Sequence, residues 1–102
     1  MTANDTVGRQ LRALGDETRM NIVACLGAEE WCVCELTESI GIPQPLLSFH
    51  LRVLKEAGLV SDRREGRWSY YVANAEALRD LARFMDTLVS APRKPARRRR
   101  AC

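Results

Sequence analysis

Gly41-Ile42-Pro43 is the segment that most constrains this chain. A glycine and a proline bracket one residue between two amphipathic stretches, leaving room only for a tight turn. Upstream, Val33, Leu36, Thr37 and Ile40 fall at i, i+3, i+4 and i+7, which predicts a helix over 33–40 with one buried stripe. Downstream, Leu47, His50, Leu51 and Leu54 predict a second helix with its own inner face, running to about Ala57 and ended by Gly58. Pro43 suits the first turn of that helix, where its missing N–H costs nothing, and Pro45 is tolerable there too.

The flanking segments complete the pattern. Residues 6–14 carry Val7, Leu11 and Leu14 and read as a short helix broken by Gly15. Asp16 is a good N-cap for a helix over 17–26, with Gly27 as its stop. Met20, Ile22, Val23, Ala24, Cys25 and Leu26 make that helix apolar on most sides, which predicts a central position. Leu59–Arg64 reads as a strand, Glu65-Gly66 as a turn and Arg67–Val72 as a returning strand. Asn74 can cap a last helix over 75–90, whose Leu78, Leu81, Ala82, Met85, Leu88 and Val89 form a wide apolar face before Pro92. The order α-α-α-α-β-β-α is mainly helical with a β-hairpin wing, the pattern of a winged helix-turn-helix. No internal repeat is visible.

The chain has 102 residues, one domain's worth, and 46% apolar residues allow a small core. Domains of this size often gain burial by dimerising. No apolar run approaches the roughly 20 residues of a membrane span, and the N-terminus lacks the order of a secretory signal. The expected location is therefore cytoplasmic, where four cysteines are expected to stay reduced. The net charge of +3 is unevenly spread. Residues 1–91 hold 10 Lys/Arg against 13 Asp/Glu, a net of −3, and residues 92–102 add six basic residues and no acid. This divides the chain into a domain over 1–91 and a basic tail over 92–102 that is expected to be disordered. The tail reads either as a non-specific electrostatic arm or as a solvated end.

Leu14-Gly-Asp-Glu-Thr-Arg19, Cys32-Val-Cys-Glu-Leu36, Ser48-Phe-His-Leu51, Ala57-Gly-Leu-Val60 and Arg64-Glu-Gly-Arg-Trp68 with Tyr71 occur in this order. Together they resemble the ArsR/SmtB family of metal-responsive repressors over roughly residues 9–90. The resemblance implies a homodimer built from the first and last helices, with Leu11, Leu14, Leu78, Leu81, Met85 and Leu88 at its interface. It implies double-stranded operator DNA with an imperfect inverted repeat as partner, and release of that DNA when an effector binds. It implies neither an enzyme nor an organic cofactor. An enzyme such as an arsenate reductase needs a nucleophilic cysteine in an anion-binding loop, and no such loop is seen in the folded part.

On the second helix of the pair, Gln44, Leu46, Ser48, Phe49 and Arg52 lie off the inner face, where a recognition helix meets the major groove. Leu46 and Phe49 are unusual there, since family members more often carry small or polar groups. One of them is expected to touch a thymine methyl or a sugar edge, the alternative being that Phe49 folds back onto the protein. Arg63, Arg64 and Arg67 surround the wing turn and are expected to meet DNA phosphates. His50, on the inner face, reads as a hydrogen-bonded structural histidine, and Cys25 as a packing cysteine.

Cys32 and Cys34 are the candidate effector ligands, for arsenite first and antimonite second, because soft thiolates suit thiophilic centres. Two residues apart in a regular helix, they point about 200° from each other. They share one centre only if Cys32 precedes the helix in extended backbone and Cys34 lies in the first turn. Binding then disturbs the helix before the recognition helix. Helix position favours the thiolates, whereas Glu29, Glu30, Glu35 and Glu38 oppose them. Members with this Cys-Val-Cys pattern often carry a further cysteine where this chain has Thr37. Cys102, water, a cellular thiol or a nearby side chain is left to complete the site. The last helix carries Asp80 and Asp86 but no histidine, unlike the zinc-sensing branch. Sensing of cadmium or lead, and thiol-redox sensing through Cys25 or Cys102, stay open as alternatives.

Overall fold

The computed structural model describes residues 3–90. The basic tail, Cys102 and the tail's expected disorder lie outside the described residues. The elements are α1 (Ala3–Leu14), α2 (Glu17–Leu26), β1 (Trp31–Cys32), α3 (Val33–Ile40), α4 (Gln44–Glu56), β2 (Val60–Glu65), β3 (Trp68–Ala73) and α5 (Ala75–Ser90). The helices and the hairpin stand where the sequence puts them, and α1 begins three residues earlier. The addition is β1, which pairs antiparallel with β3 to make a three-stranded sheet of order β1-β3-β2.

Each boundary has a local cause. Asp16 accepts the Arg19 N–H at 3.1 Å and caps α2. That bond is the main reason its carboxyl is held below the ordinary value. Gly41, at φ 80°, closes α3 by donating its N–H to the Thr37 carbonyl at 2.9 Å. A side chain there is strained, so the turn between α3 and α4 requires glycine. Pro43 proves to be the residue before α4, and Pro45 occupies its first turn.

The wing turn is Gly66-Arg67, one residue later than expected, because Glu65 still pairs with Trp68. Gly66 has φ 62°, and among the described residues no non-glycine residue has positive φ. Glycine at the first of two loop positions is the two-residue hairpin solution that matches strand twist. Asn74 anchors α5 twice: its side-chain N–H donates to the Gly58 carbonyl at 2.9 Å, and its oxygen accepts the Ala77 N–H at 3.1 Å.

The core joins Ile22 and Leu26 of α2, Leu36 of α3, Leu47, Leu51 and Leu54 of α4, and Leu59 and Val60 at the start of the wing. On α3 the half-buried Val33, Thr37 and Ile40 flank Leu36, so the stripe is the expected one. On α2 the expectation is too broad. Only Ile22 and Leu26 are buried, and Met20 and Ala24 face outward. Cys25 is half-buried beside the core, its sulfur 3.5 Å from the Ser39 hydroxyl of α3. His50 is buried and its Nδ1 accepts a guanidinium N–H of Arg19 at 3.1 Å. Arginine has no acceptor, so His50 is the tautomer protonated at Nε2. Arg19 Nε also donates to the Ala13 carbonyl at 2.6 Å, tying the end of α1 to α4 through one side chain. Among the described residues, no helix is long and apolar enough to cross a membrane.

Candidate functional site

Helix α4 buries Leu47, His50, Leu51 and Leu54 and thereby turns Gln44, Leu46, Ser48, Phe49 and Arg52 outward. Leu46 and Phe49 are 45% and 44% exposed, so neither is consumed by the core. The Phe49 ring meets the His50 ring edge-on at a centroid separation of 5.3 Å, and the Arg52 guanidinium carbon lies 5.7 Å from the Phe49 centroid. This keeps an apolar and a cationic group side by side on the outer face.

The three wing arginines do not share one environment. Side chains alternate along β2, so Arg63 and Arg64 leave opposite faces of the sheet. Arg63 donates to both carboxylate oxygens of Glu30, at 2.8 and 2.9 Å, and to Glu65 at 2.7 Å. Its guanidinium carbon also sits 4.7 Å from the Tyr70 ring centroid. Arg63 raises its own already high pKa through these partners and holds the Glu30 carboxyl below its usual value. The sequence groups Arg63 with the DNA contacts, but the structure gives its charge two protein partners. Arg64 and Arg67 are exposed and make no ion pair among the described residues.

Cys32 is the N-cap of α3, with φ −77° and ψ 156°, and Cys34 lies in the first turn. The extended residue is what brings the two sulfurs together. They are joined as a disulfide with Cα atoms 5.4 Å apart, where the sequence reading expects reduced cysteines. Cys32 also does the work of a capping serine. Its sulfur accepts the Glu35 N–H at 3.4 Å, and the Glu35 carboxylate accepts the Cys32 N–H at 2.9 Å. The Cys-x-x-Glu spacing is the sequence signal of this box. The Thr37 hydroxyl donates to the Val33 carbonyl at 2.8 Å and is thereby committed to its own helix. Among the described residues, no three His, Cys, Asp or Glu side chains gather to hold a metal ion. The described residues therefore bring two sulfurs to one point and gather no third donor with them.

Strand β1 ties this pair to the wing. Cys32 lies opposite Tyr70, and Tyr70 lies opposite Arg63, so the three form one row across the sheet. Trp31, Tyr71 and Asp62 form the neighbouring row. Tyr71 is half-buried, and burial pushes its phenol up, with Asp62 adding to the shift. On the helix side, Cys34 opens into a cleft of about 360 Å³ that Gln44 and Ser48 of α4 share with Arg64, Arg67 and Tyr71 of the wing. The candidate effector residue and four candidate DNA contacts thus border one space.

Of the six expected dimer residues, three are used inside the chain. Leu14 and Leu78 pack against the core and Leu81 is 5% exposed. Leu11, Met85 and Leu88 stay exposed, and Val89 joins them.

The family model described as "Bacterial regulatory protein, arsR family" matches residues 16–62. The arsenical resistance operon repressor of Bacillus subtilis is 38% identical over 72% of this chain and 70% of its own length. The transcriptional repressor SmtB of Mycobacterium tuberculosis is 45% identical over 66% of this chain and 50% of its own. The chain spans about half the length of several such curated relatives. The solved homodimeric winged helix-turn-helix DNA-binding domain of Mb0332 from Mycobacterium bovis superposes with a TM-score of 0.71. It is 28% identical and covers 88% of this chain and 84% of that one. From the fold, the outward face of α4 and these likenesses together, the chain belongs to the arsR family of bacterial regulatory proteins, winged helix-turn-helix DNA-binding regulators rather than enzymes.

Proposed function

We propose that this chain is a cytoplasmic transcriptional repressor of an arsenic-resistance operon. It binds an imperfect inverted repeat as a homodimer and leaves it when arsenite, or antimonite, binds reduced Cys32 and Cys34. The working unit is residues 1–91, with the basic tail appended to it. The observation that carries the reading is the meeting of the two sulfurs at the start of α3, directly before the recognition helix. A relative named as an arsenical resistance operon repressor supports the choice of effector, and SmtB shows that the family's names extend beyond arsenic.

DNA contact in this reading comes from Gln44, Leu46, Ser48, Phe49 and Arg52 in the major groove and from Arg64 and Arg67 on the phosphates. Arg63 fixes the wing instead, through Glu30. Leu11, Met85, Leu88 and Val89 are the dimer contacts, covered by a second copy. The effector has two routes to the DNA face. It bonds to the Cys32 sulfur that caps α3 and so shifts that sulfur relative to the Glu35 N–H. It also loads β1, which is hydrogen-bonded to the wing. A helix cap is worth about 1 kcal/mol of stability, and operator affinity falls by the part of that cost that the DNA-bound state alone bears.

One observation favours a second reading. The disulfide between Cys32 and Cys34 suits a thiol-redox-sensing repressor that uses this pair rather than Cys25. Cadmium or lead sensing has less support, because the Glu35 carboxylate beside the pair is spent on the Cys32 N–H and no group of three candidate ligands gathers among the described residues. Titrating the protein–operator complex with arsenite, antimonite, cadmium, lead, zinc and peroxide separates the three. The proposal expects release by arsenite and antimonite from reduced protein; release by peroxide alone overturns it in favour of redox sensing.

A further inference from the structure

We propose that the cleft between Cys34 and the wing binds a small carboxylate-bearing thiol. The thiol's sulfur is the third ligand of the metalloid and its carboxylate rests on Arg64 and Arg67. The inference depends on reading Cys32 and Cys34 as the effector site.

A trivalent arsenic centre makes three bonds, and the described residues supply two sulfurs. Thr37, one turn after Val33 on the same helix, has its hydroxyl spent on the Val33 carbonyl at 2.8 Å. The space that Cys34 lines is open to a donor from outside the chain. That space is a cleft of about 360 Å³, inside the range of roughly 300–1,000 Å³ for small-molecule pockets. Two arginines and no carboxylate line it, and Ser48 and Tyr71 add hydroxyl groups. Neither arginine has an ion-pair partner among the described residues, whereas Arg63 beside them has two. Unpaired guanidinium groups facing an open cleft select a carboxylate, which they bind by paired N–H donors. A neutral or cationic thiol gains nothing from them.

The chemistry balances without an oxidant. Arsenite enters as a trivalent hydroxide. The Cys32 and Cys34 thiols each replace one hydroxide and release one water. The free thiol replaces the third hydroxide and releases a third water. Three As–O bonds and three S–H bonds are exchanged for three As–S bonds, and arsenic stays trivalent throughout.

The cleft also gives the bound effector a direct route to the DNA face. Gln44, Ser48, Arg64 and Arg67, which border it, are the residues assigned to DNA. A thiol lodged there neutralises the two phosphate-binding arginines and fills space that DNA would take. Effector and DNA then exclude each other at one site.

The test is native mass spectrometry of the full chain, reduced with a phosphine that carries no thiol and mixed with arsenite. Three probes are compared at equal concentration: N-acetylcysteine (anionic), 2-mercaptoethanol (neutral) and cysteamine (cationic). The expected result is one arsenic and one N-acetylcysteine per protomer with loss of three waters. N-acetylcysteine is expected to be preferred over 2-mercaptoethanol at least about tenfold, and Arg64→Ala with Arg67→Ala is expected to abolish that preference while arsenic still binds. Equal capture of all three thiols overturns the proposal, as does an arsenic adduct that takes up no thiol. In the latter case, Cys102→Ser identifies the tail as the donor if it restores thiol uptake. No arsenic adduct under any condition instead removes the effector reading on which the inference depends.

Discussion

Arg63 and Arg67 lie four positions apart on one hairpin, yet their charges serve different ends. Arg67 faces outward without an ion pair among the described residues, and Arg63 is held by Glu30 and Glu65. Arg67→Ala is therefore expected to weaken binding to all DNA sequences alike and to flatten the salt dependence by about one unit of slope. Arg63→Ala is expected to leave the slope nearly unchanged. Equal changes in slope for the two variants would contradict the assignment. Glu35→Ala removes one half of the capping box, and urea denaturation is expected to register a loss of about 1 kcal/mol. The outward set on α4 is legible in the sequence because a helix sorts its residues by period. The Arg63–Glu30 pair is not, because its members are 33 residues apart and only the folded sheet brings them together.

At the scale of elements, the helices and the hairpin announce themselves through glycine, proline and apolar spacing. Strand β1 does not. Two residues, Trp31 and Cys32, are too few to show an alternation, and their pairing with Tyr71 and Tyr70 is set by tertiary structure. The omission matters because this strand connects the cysteine pair to the wing. The sequence does yield the backbone condition for the pair, an extended Cys32 followed by a helical Cys34. It does not reveal that the Cys32 sulfur caps the helix or that Cys34 opens into a cleft shared with Arg64 and Arg67.

The clamp between β1 and the wing also predicts a pH response. Arg63 lowers the Glu30 carboxyl below its ordinary 4.5. The folded value is below the unfolded one, so the clamp contributes fully above 4.5 and is lost as pH falls through the folded value. Amide protection in β1 and β2, corrected for the intrinsic exchange rate at each pH, is expected to fall as pH drops below 4.5 in the parent protein, and Glu30→Gln is expected to remove that pH step. A step that persists in the variant assigns it to another group.

For the whole molecule, the chain leaves Leu88 65% and Val89 80% exposed on α5. A pair of copies related by two-fold symmetry covers such a face with each residue used twice. Leu88→Glu brings two like charges into that contact and is expected to weaken dimerisation at least about tenfold, as read by sedimentation. A dimer unaffected by the substitution would move the interface elsewhere.

The central claim is that Cys32 and Cys34 receive the effector and that this empties the operator. It is tested most directly by measuring operator affinity of reduced protein with and without arsenite, for the parent and for Cys32→Ser with Cys34→Ser. The parent is expected to lose at least about tenfold, a coupling of about 1.4 kcal/mol between effector and operator, and the double variant to keep its affinity. Arsenite-driven release that survives the loss of both thiols would contradict the account.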